Sequence, residues 1–159
     1  MTRTDNRLAA FTNGYAEAMI WANTTAVRNG EPTDDEVYPE MWQTPGAGWQ
    51  IDAFDADSRV SIESDCRDFF AGNLRDLIAY TAHFAGRAFA WHFFDERAAW
   101  EQGGHDFALT RNHHGAGFWD RGMGDLGDRL TDACRPYGES DAYTDMSDDT
   151  DNDVHLMGA

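Results

Sequence analysis

Lysine is absent from this 159-residue chain: its twelve basic residues are all arginine, set against 29 Asp and Glu, and the formal charge is −17. Neutralising a phosphate backbone takes a dense basic face, so direct nucleic-acid binding and docking on a membrane are not expected. Cysteine is scarce as well. Cys66 and Cys134, far apart in a chain without a secretion signal, read as two reduced thiols rather than a disulfide. No apolar run approaches the ~20 residues that a membrane-spanning helix needs, and residues 1–6 lack the apolar core of a secretory signal. The expectation is a soluble, cytoplasmic protein.

What is present suffices for one globular domain and not for two, with 42% hydrophobic and 13% aromatic residues. Arginine in place of lysine, with 21 Asp against 8 Glu, fits either adaptation to high salt or a GC-rich coding genome. Such acidity also allows imitation of a phosphate backbone before a DNA-binding target. Residues 139–159 hold seven acids and no Arg, which leaves −10 on the other 138 residues. Much of the excess is therefore terminal, and the expected organisation is a single domain over 1–144 with a disordered acidic tail over 145–159.

Between Asn6 and Asn23 the apolar positions Leu8, Phe11, Tyr15, Met19 and Ala22 recur at helical steps, behind Thr4, Asp5 or Asn6 as N-cap. Residues 28–50 carry Pro32, Pro39 and Pro45 and read as a long loop, pinned by Trp42 and Trp49. A second helix, capped by Ser58 or Ser61, has a stripe through Phe70, Leu74, Leu77, Ile78, Thr81, Phe84, Ala85 and Ala88. Gly86 divides it from a further helix over 87–100, closed by Gly103-Gly104. Phe107 and Leu109 alternate with polar neighbours, and Phe118-Trp119 resumes an apolar pair after the loop HHGAG, which predicts a β-hairpin over about 106–121. Leu126, Leu130, Ala133 and Tyr137 mark a last helix, and residues 142–144 a short edge strand. The fold class is α+β, with N-terminal and central helices on a small antiparallel sheet containing that hairpin. Phe70, Leu77, Ile78, Phe107, Leu109 and Leu130 are the expected core.

The stretch GHDFALTRNHHGAGFWDRG over 104–122 gathers three of the six His, two Arg and two Asp around small residues. Together with GYAEAMIWANTT (14–25), the pair Asp65-Cys66 and LTDACRPYGESDAY (130–143), it resembles a family of small acidic proteins of bacteriophages and prophages, whose motif runs GHDFWLTRNGHGAGFWDRG. The resemblance implies a phage-type auxiliary protein acting in the host cytoplasm and carries no established activity with it. Two positions depart from that pattern: Ala108 stands where Trp is usual, and His113 where Gly is usual.

Read from its residues, the motif is a polar pocket for a small anionic ligand or a segment of a host protein. Arg111 can fork onto a planar anion, Gly115 and Gly117 let backbone N–H groups approach it, and Trp119 offers a stacking face. His105, Asp106, Thr110, Asn112, His114 and Asp120 complete the candidate set, with Glu17 and Trp21 of the first helix facing it. The alternative for the same residues is a tightly turned hairpin with structural ion pairs. An enzyme is the other class: a hydrolase using Cys66 with His105 or His114 as base, or a metal held by His105, His113, His114 and Asp120. In the tail, residues 149–153 have the start of a calcium loop without its Gly and Glu. No cofactor is expected.

Overall fold

The computed structural model describes residues 2–33, 51–89, 92–145, 147 and 153–157. Helix α1 (Arg3–Asn23) begins at a capping box: the Asp5 amide donates to Thr2 Oγ1 at 3.2 Å and the Thr2 amide donates to the Asp5 carboxylate at 2.7 Å. The cap thus lies two residues ahead of the earliest candidate. Helix α2 (Ala56–Gly72) starts on Asp55, whose carboxylate accepts from the amides of Asp57 and Ser58. Helix α3 (Leu74–Phe84) follows a break at Asn73, so the expected second helix is two helices.

Helix α4 (Glu96–Arg111) is the largest departure from the sequence reading. It begins at Asp95, which accepts from the Ala98 amide at 2.8 Å, and runs through Gly103-Gly104 to Arg111. The predicted hairpin over 106–121 is absent: its first arm is helix, and its second arm is a 3-10 turn, Phe118–Asp120. Every residue from Asp106 to Arg111 is buried, because α1, α3, the 3-10 turn and α5 (Asp125–Cys134) all pack on α4. A helix covered on all sides loses its 3.6-residue pattern, and the alternation of Phe107 and Leu109 was then open to reading as strand.

α1 and α4 run in the same direction, since Arg3 and Arg7 meet Glu96 near both starts and Met19 meets Asn112 near both ends. Gly14 lies in this contact on one side and Gly104 on the other, and both are buried. Small side chains allow the two backbones to touch. Around this pair the rings of Phe11, Phe69, Phe107 and Phe118 form the centre of the core, with Phe69 and Phe107 stacked at 4.0 Å.

β1 (Thr24–Arg28) follows α1 without a loop and turns at Asn29 and Gly30 into β2 (Glu31–Pro32), so a regular element does form at the start of the expected 28–50 loop. Trp42, Trp49 and the rest of residues 34–50 lie outside the described residues. β1 pairs in parallel with β5 (Ala142–Asp145), which pairs antiparallel with β6 (Val154–Leu156); the order is β2-β1-β5-β6. The sheet is therefore mixed rather than antiparallel, and 142–145 is a central strand rather than an edge. A second, two-stranded ribbon joins β3 (Ala88–Phe89) and β4 (His92–Phe93) where a helix over 87–100 was expected.

The architecture is α+β, as the sequence indicates. Phe70, Leu77, Phe107, Leu109 and Leu130 are buried, whereas Ile78 is 44% exposed, because the α3 stripe is narrower than its apolar run. β6 overturns the disordered tail at residues 154–156. Val154 is fully buried, and the Leu156 amide donates to Ser58 Oγ at 2.8 Å. The calcium-like residues 149–152 lie outside the described residues. Among the described residues no helix is long and apolar enough to cross a membrane.

Candidate functional site

The motif over 104–122 occupies the last half of α4 and the loop that leaves it, and its charged groups fall into two separate nodes. Asp106 and Arg111 are five residues apart, which turns them about 140° from each other around the helix.

Arg111 points into the body of the protein. Its Nε donates to the Gly138 carbonyl at 2.9 Å, Nη2 to the Tyr137 carbonyl at 2.8 Å, and Nη1 to both Tyr15 Oη and Asp65 Oδ2 at 2.8 Å. The guanidinium also lies 5.7 to 5.9 Å from the ring centres of Tyr15, Phe107 and Tyr137. Burial opposes its charge, but the Tyr15 and Asp65 oxygens outweigh that cost and hold the proton more firmly than usual. Its fork is thus filled by four protein oxygens, and an incoming anion would have to displace them.

Asp106 forms the second node on the opposite side. It is fully buried and accepts from Tyr80 Oη, from Gln102 Nε2 at 3.0 Å, and from Arg121 Nε and Nη2 at 2.9 and 2.6 Å. Burial disfavours the carboxylate, yet the bonds and charge of Arg121 together with the Tyr80 bond outweigh it and hold the carboxyl below its usual range. The same carboxylate and burial push the Tyr80 hydroxyl far above its ordinary value. Sequence reading placed Asp106 in the motif but missed Tyr80, Gln102 and Arg121 as its partners. Gln102, at i−4 on the same helix, was the one recoverable signal.

The loop is built for shape. Gly117 sits at φ 153°, and a Cβ there would lie 2.3 Å from Thr110 Oγ1, which accepts from the Phe118 amide at 3.0 Å. The Gly117 amide donates to Asp120 Oδ1 at 3.1 Å, and Asn112 Oδ1 accepts from the Ser140 amide at 2.7 Å. His113 adopts φ 55°, the left-handed conformation in which glycine is the unstrained residue. His114 is half-buried and Gly115 exposed.

His105, Arg111 and Asp120 therefore do not converge on one cleft. A cavity of about 440 Å³ does open beside the motif, lined by Thr110, Arg111, His113, Thr131, Cys134 and Gly138. It takes in only two residues of the candidate set, and the Arg111 donors facing it are already bonded. The aromatic groups are what the motif leaves outside. Trp21 is 61% exposed and its ring lies 5.9 Å from that of His105, while Trp119 is 52% exposed on the 3-10 turn. His105 Nδ1 is 3.9 Å from Asp106 Oδ1, too long for a hydrogen bond, and has no other partner.

The enzyme alternatives lose their residues here. Cys66 is fully buried in the core and burial pushes its thiol far above the ordinary value, the opposite of what an activated nucleophile needs. Cys134 is buried and free as well. Among the described residues no group of three or more His, Cys, Asp or Glu is placed to hold a metal ion. Comparison with family models, with curated proteins and with solved structures finds no match. The chemistry of the site must be read from its own groups.

Proposed function

We propose that this chain is a phage-type auxiliary protein that works by binding a host protein in the host cytoplasm, through the aromatic surface beside α4. One observation carries this reading. The protein satisfies the motif's Arg111 and Asp106 internally, while Trp21, against His105, and Trp119 stand in water. Large exposed aromatics on a rigid support are the side chains that most often anchor protein interfaces. The support is rigid here because Thr110 and Asp106 tie the Trp119 turn to α4 through Phe118 and Arg121.

The test is retention of a host protein from extract by immobilised wild-type chain and by the double variant Trp21→Ala, Trp119→Ala. Both tryptophans are exposed, so the variant should unfold at the same temperature. A stoichiometric partner held by wild type and lost by the variant supports the reading. Equal retention by both, or none by either, overturns it.

A further inference from the structure

The ion pairs at the other end of α4 are built differently from the Arg111 node. Arg3 donates through Nε and Nη2 to Glu96 Oε1 at 3.1 and 2.8 Å, and Arg7 donates through the same two atoms to the same oxygen at 3.2 and 2.9 Å. Four N–H groups of two guanidinia thus converge on one carboxylate oxygen. A single oxygen offers about two acceptor directions, so the arrangement holds more donors than its occupant can satisfy. The charge is unbalanced too, with two cations against one anion. An occupant with several terminal oxygens and two negative charges would match both counts.

A cavity of about 460 Å³ opens at this point between the first three turns of α1 and the start of α4, lined by Arg3, Arg7, Arg97, Asn6, Asn13 and Trp100. Three of the twelve arginines of a chain with charge −17 meet here. Arg97 is held by Glu101 at 2.7 Å, and Arg7 is steadied by its position 5.1 Å over the Trp100 ring. Because the two helices run in parallel, the positive ends of both dipoles lie on this side. The capping carboxylates Asp5 and Asp95 are spent on the helix amides.

We infer that this cavity is a binding site for a small phosphate monoester, with Glu96 as the internal counter-ion that the ligand displaces. Three terminal phosphate oxygens accept the paired forks of Arg3 and Arg7, which one carboxylate oxygen cannot do. Asn6 and Asn13 offer hydrogen bonds to the organic part, which has room along Ala9 and Ala10. This goes beyond the proposed partner surface and uses none of its residues.

The experiment titrates inorganic phosphate and phenyl phosphate into wild type, Glu96→Gln and Arg3→Ala, at low and at high chloride, with binding read by calorimetry and by melting temperature. Glu96 is 54% exposed and Arg3 72% exposed, so both variants should fold. The inference requires saturable 1:1 binding, tightened several-fold by Glu96→Gln and weakened several-fold by Arg3→Ala, with phenyl phosphate bound more tightly than phosphate. Unsaturable binding, binding that chloride abolishes equally in all three proteins, or weaker binding to Glu96→Gln overturns it, the last showing that Glu96 only orders the arginines.

Discussion

Gly104 lies against the carbonyl of Phe11: a Cβ built on it would sit 1.8 Å from that oxygen, and one built on Gly14 would sit 1.9 Å from the carbonyl of Glu101. The backbones of α1 and α4 are therefore in direct contact, at a distance that only hydrogen side chains permit. Everything attached to α4, including both ion nodes and the Trp119 turn, is positioned by that contact.

Gly104→Ala gains the intrinsic helix preference of alanine, about 1 kcal/mol, but forces two helices apart. Overpacking of this kind costs about 1–3 kcal/mol, and contact with backbone rather than a flexible side chain places it at the upper end. Gly72→Ala is the control, since a Cβ there meets nothing within 4 Å. Chemical denaturation should show Gly104→Ala destabilised and Gly72→Ala stabilised by up to about 1 kcal/mol. A neutral Gly104→Ala would mean that the helices are not in contact.

The same glycines explain what could be read from the chain beforehand. α1 and α5 were legible because their apolar stripes are local to each helix. Gly103-Gly104 reads locally as a helix end, and only the position of α1, about ninety residues earlier in sequence, makes it a helix middle. The candidate site failed in the same way. The motif's composition was correctly seen as unusual, but Arg111 and Asp106 look identical on paper whether their partners are a ligand or Tyr15, Asp65 and Tyr80. The Arg3, Arg7 and Glu96 convergence has no sequence signature beyond an i, i+4 arginine pair.

Arg111→Met should act on folding before it acts on any partner. The substitution leaves the Asp65 carboxylate, the Tyr15 hydroxyl and the carbonyls of Tyr137 and Gly138 without their donor. Removing one member of a fully buried pair costs about 3–5 kcal/mol, and with Asp65 partly solvated the loss falls toward the lower figure, still a large share of the stability of a small domain. Asp65→Asn should cost less, because the Asp65 side chain is 35% exposed and the Arg111 fork keeps its other oxygens. Denaturant midpoints of the two variants check the order; a fully stable Arg111→Met would return Arg111 to the candidate ligand site.

Acid should weaken the Asp106 node. Its carboxyl is held below the ordinary 3.8, so just below that pH the unfolded chain binds a proton that the native state refuses. Stability therefore rises with pH in that window, is fully present above about 3.8, and is lost as pH falls through the lower native value. Asp106→Asn removes this dependence while losing the charge-assisted bonds to Arg121, so it should be less stable at neutral pH and show a shallower acid limb. Midpoints measured between pH 2 and 6 decide the matter, and parallel acid limbs in the two proteins would show that Asp106 does not carry the effect.

The C-terminal strand should be indispensable despite its acidic surroundings. Truncation after Asp145 removes β6 and strips β5 of its antiparallel partner, and it takes out buried Val154 and Leu156, each worth about 1.5–3 kcal/mol when fully buried. Three further ties go with it: the Asp55 amide to the Val154 carbonyl at 3.0 Å, the Leu156 amide to Ser58 Oγ, and His155 Nδ1 to the Asp55 carboxylate at 3.0 Å. Since Asp55 also caps α2, the loss reaches that helix. The truncated chain should melt well below the full chain and by about 3 kcal/mol or more. Restoring residues through Met157 should recover nearly all of it, because the Met157 amide closes the strand on the Asp141 carbonyl at 2.9 Å. An unchanged melting temperature on truncation at Asp145 would show that β6 contributes nothing to the fold.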